Sequence, residues 1–507
     1  MWFIWVLAGV LVVIIGYDLT QRSHAILRNF PVIGHFRYWL EALGPELRQY
    51  IVTDNDEERP FSRDQRRWVY ASSKADDATF GFGSDNEMEL SSNYLIIKHA
   101  AFPLSSPVPG ASDHDPSYAI PCLKTLGAFR RRDKAFCPAS IVNVSGMSFG
   151  SLSGPAVEAL NRGAAIAGCL HNTGEGGISP HHDCGGDLVW QIGTAYFGCR
   201  DAGGRFSLEA FREVVNRHPA VRAIEIKLSQ GAKPGLGGLL PRRKITSEIA
   251  RIRGIPLDRD CVSPAAHREF RDADSLLDFV ELLASESGLP VGIKSAVGES
   301  EFWRDLARLM ARGDRGVDFI AVDGGEGGTG AGPLVYTDHV ALPFKIGFSR
   351  VHRILSDAGV GDQVVFIGSG KLGFPESALV ALALGCDMIN VGREALLSIG
   401  CIQAQRCHNN HCPTGVTTQN RWLTRGLDPK SKSVRMATYV ARLRRDLLRV
   451  ARSCGVPHPA QVSASQLELL DNRYGARTVA EVFGGGREGL RSAPGATTTS
   501  DNPEIRI

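Results

Sequence analysis

VDFIAVDGG, residues 317–325, starts apolar and ends in an aspartate and two glycines. A short apolar run that ends in small and polar residues reads as a buried strand feeding a loop. The same pattern occurs eight times: SIVNVSG (140–146), GCLHNTG (168–174), LVWQIG (188–193), AIEIKLS (223–229), VGIKSAV (291–297), VDFIAVDGG itself, QVVFIGSG (363–370) and DMINVG (387–392). Helical stretches lie between them. Strand–helix alternation implies a parallel sheet, and eight such units match an α/β fold of the (β/α)8 TIM barrel type. In that fold the chemistry sits on the loops after the strands. Those loops here are SGMSFGS, HNTGEGG, KLSQGAKPG and DGGEGGTGAGP.

Around this barrel, expected over residues 136–425, the chain is organised unevenly. Residues 1–17, MWFIWVLAGVLVVIIGY, carry no charged side chain. As a helix they would span about 25 Å, close to a roughly 30 Å hydrocarbon core. A signal peptide would carry positive charge before the apolar run and small residues at a cleavage site, and neither is present. A single-pass transmembrane anchor is therefore expected. Arg22, Arg28 and Arg37 follow it, which places the barrel in the cytoplasm. Residues 18–135 read as a membrane-proximal helical and irregular region. Within it a helix is expected beyond Pro31, and Ser62 and Gln65 stand at capping-box spacing. Residues 426–483 read as a helical region, with Met436, Val440, Leu443, Leu447 and Val450 on one face of a helix. A second short helix is expected near ARTVAEVFG. Residues 484–507 read as a disordered tail.

Net charge is +3 over 507 residues, which gives no argument for a nucleic-acid partner. Eleven cysteines, an odd number and mostly isolated, read as reduced thiols and not as a disulfide framework.

GSGKLG, with Gly368, Gly370 and Gly373, matches a dinucleotide fingerprint, but it follows the seventh strand of eight and opens no Rossmann unit. Loops after strands seven and eight of a barrel often bind phosphate through backbone N–H groups. With Lys371, Gly392 and Arg393 they suit a mononucleotide such as FMN. Lys227 and Lys294 end strands four and five and are expected to point inward. Their partners are then a structural carboxylate, an anionic flavin edge or a substrate carboxylate. Glu175, Gln230 and Glu326 lie in comparable loops. SPHHDCGGD gathers His181, His182, Asp183 and Cys184 without a second ligand pair at zinc spacing.

GCIQAQRCHNNHCPTGVTTQ, residues 400–419, brings three of the cysteines together as Cys401, Cys407 and Cys412. The gaps fit neither zinc-ribbon nor dithiol-redox patterns, which use Cys-x2-Cys. A four-iron cluster takes four thiolates, whereas three local thiolates suit a [3Fe-4S] cluster.

This segment resembles the [3Fe-4S] segment of glutamate synthase large subunits. The likeness continues in collinear order through SGMSFGSLS, NTGEGG, IEIKLSQGAKPGLGGLLP, VSPAAH, GIKSAVG and GGEGGTGAGPL, over roughly residues 140–420. It implies an FMN-binding barrel in which electrons pass from the cluster to FMN. Reduced FMN then transfers hydride to the imine of 2-oxoglutarate and ammonia. It also implies residue roles. Lys294 would stand near both substrate and cluster, Gln230 and Lys227 would hold the flavin ring, and Asn172 and Glu175 would line the substrate side. Met147, Ser148 and Gly328 would complete the flavin loops. Where that family usually has an arginine for a substrate carboxylate, the matching TAYFG has Tyr196, and a neutral phenol makes no bidentate pair. Ammonia is expected free or from a separate glutaminase subunit, because the family's N-terminal glutaminase domain and C-terminal β-helix have no counterpart here. Without a convincing NAD site, a ferredoxin or partner reductase is the expected electron donor. Two alternatives keep the cofactors: a different 2-oxo acid or amine as substrate, or an electron-transfer subunit of a membrane complex.

Overall fold

The computed structural model describes residues 2–21, 24–76, 83–84, 86–107, 110 and 114–486. Arg22 and all but the first three residues of the expected disordered tail lie outside them. The chain divides into two compact units, residues 1–67 and 68–507.

In the first unit, helix α1 (Trp2–Thr20) is long and apolar enough to cross a membrane. Its large apolar side chains are exposed on every side. Its last turn is fixed by Asp18, a fully buried carboxylate. That carboxylate accepts the Val32 backbone N–H at 2.9 Å and lies 2.9 Å from His35 Nε2. This turns the chain into helix α2 (Gly34–Leu47), the helix expected beyond Pro31. The capping box is present. Gln65 N–H donates to Ser62 Oγ, and Ser62 N–H donates to Gln65 Oε1, both at 3.2 Å, at the start of the helix Arg63–Lys74.

In the second unit all eight apolar runs form strands: β1 (Val142–Val144), β2 (His171–Asn172), β3 (Leu188–Ile192), β4 (Val221–Lys227), β5 (Val291–Ser295), β6 (Phe319–Asp323), β7 (Val365–Ser369) and β8 (Met388–Val391). They close into one parallel barrel in sequence order, β8 pairing back onto β1. Alternate residues point inward and build layers. Ala223, Phe319, Val365 and Met388 form the lower, apolar layer with Cys122 and Leu126. Gly292 permits this, since a Cβ there would lie 2.4 Å from the Phe319 ring. Leu126 and Phe136 pair through backbone bonds of 2.9 and 3.0 Å and plug the N-terminal end of the barrel. The upper layers are polar, so function is confined to the other end.

Helix α3 (Gly154–Ala167) follows β1 and packs against helix α4 (Pro429–Ser453). Gly163 makes room for Met436, whose Sδ would stand 2.7 Å from a Cβ there. Met436, Val440, Leu443 and Leu447 are buried as expected, while Val450 is only half-buried. Arg444 is buried among them because its guanidinium donates to Ala167 O and Ser117 O, each at 2.9 Å.

The flanking regions differ from expectation. Strand Tyr94–Ile97 pairs antiparallel with Leu467–Leu470, which pairs with Ala476–Thr478. Residues 94–97, expected inside a membrane-proximal region, thus belong to a small sheet of the barrel unit, and the C-terminal region is not purely helical. Each strand is too short to announce itself without its partner. The second short helix is present as Val479–Phe483.

Candidate active site

The polar layers collect at the C-terminal mouth. Period-two alternation along β4 puts Glu225 and Lys227 on the inner face above Ala223, and along β6 it puts Asp323 above Ala321. Lys294, from β5, is buried and its Nζ lies 2.7 Å from Asp323 Oδ2. Asp323 also accepts Ser369 Oγ–H at 2.6 Å and the Gly231 N–H at 3.0 Å. Burial would discharge both groups. Instead the carboxylates of Asp323, Glu225 and Glu175 raise the Lys294 pKa, and the Lys294 ammonium lowers that of Asp323. The pair is therefore ionised. Glu225, one layer down, accepts Gln191 Nε2–H at 2.6 Å and Asn172 Nδ2–H at 2.9 Å, yet burial still raises its pKa.

A second pair stands beside the first. Lys227 Nζ lies 3.0 Å from Glu175 Oε1, and Gly193 and Gly238 leave the space that Glu175 fills. Burial opposes ionisation of Glu175, but Lys227, Arg253 and Lys233 hold its pKa below the ordinary value. Lys233 Nζ donates to Ala331 O at 2.8 Å and ties the β4 loop to the β6 loop.

Most expected flavin residues gather around these pairs. Ser148 packs against Gly174, and Met147 approaches Gly392. Gln230 lies in the β4 loop, its carbonyl accepting the Lys233 N–H at 3.3 Å. Gly328 lies against Arg393, with only 2.5 Å from a Cβ there to Arg393 Cδ. Arg393 in turn donates to the Glu326 carbonyl. After β7, Gly370 and Lys371 adopt φ of +122° and +58°, so the backbone turns sharply against Gly324. A side chain at these glycines would fill the cradle, which is the fit a phosphate and its flavin require.

Two expected residues are not in the mouth. Gly368 points outward, where a Cβ would meet Phe344, Cys386 and Leu372. Its neighbour Ile367 takes the inner face instead. Tyr196 is fully buried, with φ +51°. Its hydroxyl accepts the backbone N–H groups of Arg268 (3.1 Å) and Glu269 (3.3 Å) and lies 3.1 Å from His267 Nδ1. His267 Nε2 lies 2.9 Å from the Lys227 carbonyl. Burial pulls His267 down to about 4, against that hydrogen bond, so the ring is neutral. It donates from Nε2 and accepts the Tyr196 proton at Nδ1. Tyr196 is a positioning residue, since it ties the 264–270 loop to the end of β4 and touches no open space.

The cysteine segment lies beside the β1 loop. Residues 401–420 form no helix or strand, and Gln403, Gln405 and Asn410 adopt φ of +58°, +54° and +66°. Gln419 Nε2 donates to Gly150 O (3.2 Å) and Leu152 O (2.8 Å). Lys244, buried, donates from one ammonium to Ser151 O at 2.6 Å and Cys407 O at 3.2 Å. Tyr70 Oη donates to Cys401 O at 2.8 Å. Burial raises the Cys407 thiol. At Cys412 burial is outweighed by hydrogen bonds from Thr417 and Thr414, and its pKa falls. The Thr417 hydroxyl is buried without an oxygen or nitrogen partner and faces both sulfurs. Among the described residues no three His, Cys, Asp or Glu side chains converge as ligands of one ion. A cluster instead gives each thiolate its own iron, and sulfur-directed hydroxyls suit it. The buried Thr417 hydroxyl facing Cys407 and Cys412 is the feature of this segment that would suit a bound cluster.

Asp323, Glu225, Gln191 and Lys244 join the site without having been expected there from the sequence. Period-two alternation through IEIK and IAVD carried the signal for the two acids. Lys244, in a turn within the long β4–β5 connection, had no such signal.

A closed parallel barrel with ionised lysine–carboxylate pairs at its C-terminal mouth defines the class: a (β/α)8-barrel enzyme. Residues 132–457 match the family model described as the conserved region in glutamate synthase. The glutamate synthase large subunit-like protein YerD of Bacillus subtilis (strain 168) is 37% identical over 475 residues, 88% of this chain and 90% of that protein. The archaeal-type glutamate synthase (NADPH) of Thermotoga maritima is 32% identical over 319 residues, 62% of this chain and 59% of that protein. The chain belongs to the glutamate synthase family of oxidoreductases. Among solved structures, the flavin-binding domain of baker's yeast flavocytochrome b2 is 13% identical. It covers 87% of this chain and 85% of that one with a TM-score of 0.44, a distance at which it bears on neither ligand nor activity.

Proposed function

We propose that the barrel holds FMN at its C-terminal mouth and a [3Fe-4S] cluster on Cys401, Cys407 and Cys412, and reductively aminates a 2-oxo acid. The observation that carries this reading is the joining of the cysteine segment to the β1 loop through Lys244 and Gln419. It brings the thiols next to the mouth that Lys294 lines. When bound, the flavin supplies hydride and the cluster supplies single electrons.

The chain's own residues supply orientation and charge. Lys294 presents an ammonium kept protonated by Asp323, which suits an anionic flavin edge or a substrate carboxylate. Lys227 and Gln230 stand on the ring side, Asn172 and Glu175 on the substrate side. Gly328, Gly370, Lys371, Gly392 and Arg393 frame the phosphate. Holding reactants in register can contribute several kcal/mol to the barrier, on the order of 7–11 in well-oriented cases. The mouth is built for that.

Tyr196 favours a second reading of the substrate. The position that holds an arginine in the resembled family is buried here, with its hydroxyl already engaged. 2-Oxoglutarate is the first candidate, and a related 2-oxo acid or amine is the second. Ammonia arrives free or from a separate glutaminase subunit, and electrons come from a ferredoxin or partner reductase. Helix α1 anchors the protein as a single membrane span with the barrel in the cytoplasm. Steady-state assays of 2-oxoglutarate plus ammonia against a panel of 2-oxo acids, with reduced ferredoxin as donor, test the reading. Turnover of none of them would remove it.

A further inference from the structure

Beyond α1, the first unit carries a second exposed apolar surface on one face of α2. Phe36, Trp39, Leu40, Leu43 and Leu47 recur at helical spacing on one side, between 37% and 58% exposed. The surface continues at both ends, through Phe30 (63%) and Ile33 (77%) before the helix and Ile51 (72%) and Val52 (75%) after it. Single exposed apolar residues need no explanation, but a continuous stripe of nine does.

We infer that residues 30–52 form a second lipid-binding element, with α2 lying in the plane of the membrane surface and its stripe among the acyl chains. The inference rests on the reading of α1 as a span. Three observations choose a bilayer as the occupant. First, α2 is continuous with α1 through the Asp18 clip to Val32 and His35, so it starts at the level where the span ends. Second, the stripe holds Trp39, a side chain enriched at the membrane–water interface, among the Phe and Leu residues typical of the apolar face of an in-plane helix. Third, its flank carries the Arg37–Glu41 ion pair at 2.8 Å, both side chains more than half exposed. An in-plane helix needs such a polar border at headgroup level. Arg28, Arg37 and Arg48 against Glu41 and Glu46 leave a net charge of only +1, so apolar insertion outweighs attraction to anionic lipid in driving the contact.

The test places benzoylphenylalanine singly at positions 10, 36, 40, 41 and 43 of the full chain in phosphatidylcholine nanodiscs. Adducts are then read by mass after illumination. Lipid adducts from positions 36, 40 and 43, with little from 41, are expected. Adducts from those three positions to peptides of residues 68–507 or to a second copy would overturn the inference and mark a protein contact. Absence of any adduct from them would overturn it too. Position 10 separates the two readings: lipid adduct there with none at 36, 40 and 43 sinks only this inference, whereas no lipid at position 10 sinks the span itself.

Discussion

Lys294 and Asp323 form the pair on which the mouth depends, and their energetics are asymmetric. Removing one partner strands a charge in a buried site, which costs about 3–5 kcal/mol, while removing both together costs much less. Lys294→Met is therefore expected to lose that much stability in denaturant unfolding and all turnover. Lys294→Met with Asp323→Asn should recover most of the stability and none of the turnover. Equal stability of the two variants would show that Asp323 is satisfied by Ser369 and Gly231 alone. His267 gives the pH dependence. Its pKa falls from 6.5 unfolded to about 4 folded because burial disfavours the imidazolium. The unfolded chain thus binds more protons between those values, and stability falls as pH drops from 6.5 towards 4. The loss approaches about 3 kcal/mol from this group, at 1.36 kcal/mol per pH unit. Thermal midpoints measured across that window should fall, and His267→Gln should flatten the fall. Tyr196 belongs to the same network. Its substitution for an arginine was visible in the sequence, but its burial was not, because nothing local indicates that the 264–270 loop folds over it.

At the scale of elements, the eight strands were legible because each is a short, largely apolar run that leads into a loop rich in small or polar residues. Their order needed no further information once the alternation was counted. The sheet of Tyr94–Ile97 with Leu467–Leu470 was not legible, since its partners lie about 370 residues apart in the chain and neither is long. The cysteine segment was legible as three thiols close in sequence, yet the groups that support it were not. Lys244 reaches it from the β4–β5 connection, and burial lowers that ammonium to about 8, which leaves it charged at neutral pH. A positive charge beside the thiols would stabilise the reduced form of a bound cluster. Lys244→Met should shift the cluster's midpoint potential to more negative values in an EPR-monitored titration, with iron content unchanged, and Lys244→Arg should restore it. Unchanged potential in Lys244→Met would leave the lysine a purely structural tie. Serine at Cys401, Cys407 or Cys412 should instead remove iron while the far-UV circular dichroism of the barrel persists.

At the scale of the whole molecule, a glutamate synthase family barrel follows a helix long and apolar enough to cross a membrane. GSGKLG begins on the last two residues of β7 and its last glycine packs on Tyr439 and Glu394, so it lies within the barrel and opens no separate nucleotide domain. NADPH alone is expected to leave the flavin oxidised in stopped-flow absorbance, and a ferredoxin or partner reductase to reduce it. Rapid bleaching by NADPH would contradict that. Detergent, and not high salt or alkali, should be needed for extraction from membranes. The proposed cofactor pair stands or falls on flavin and iron analysis of the purified protein together with its EPR spectrum as isolated. About one FMN and about three irons per chain, with the signal of an oxidised three-iron cluster, are predicted. A four-iron cluster, or a flavin-free protein with its barrel intact, would contradict the account.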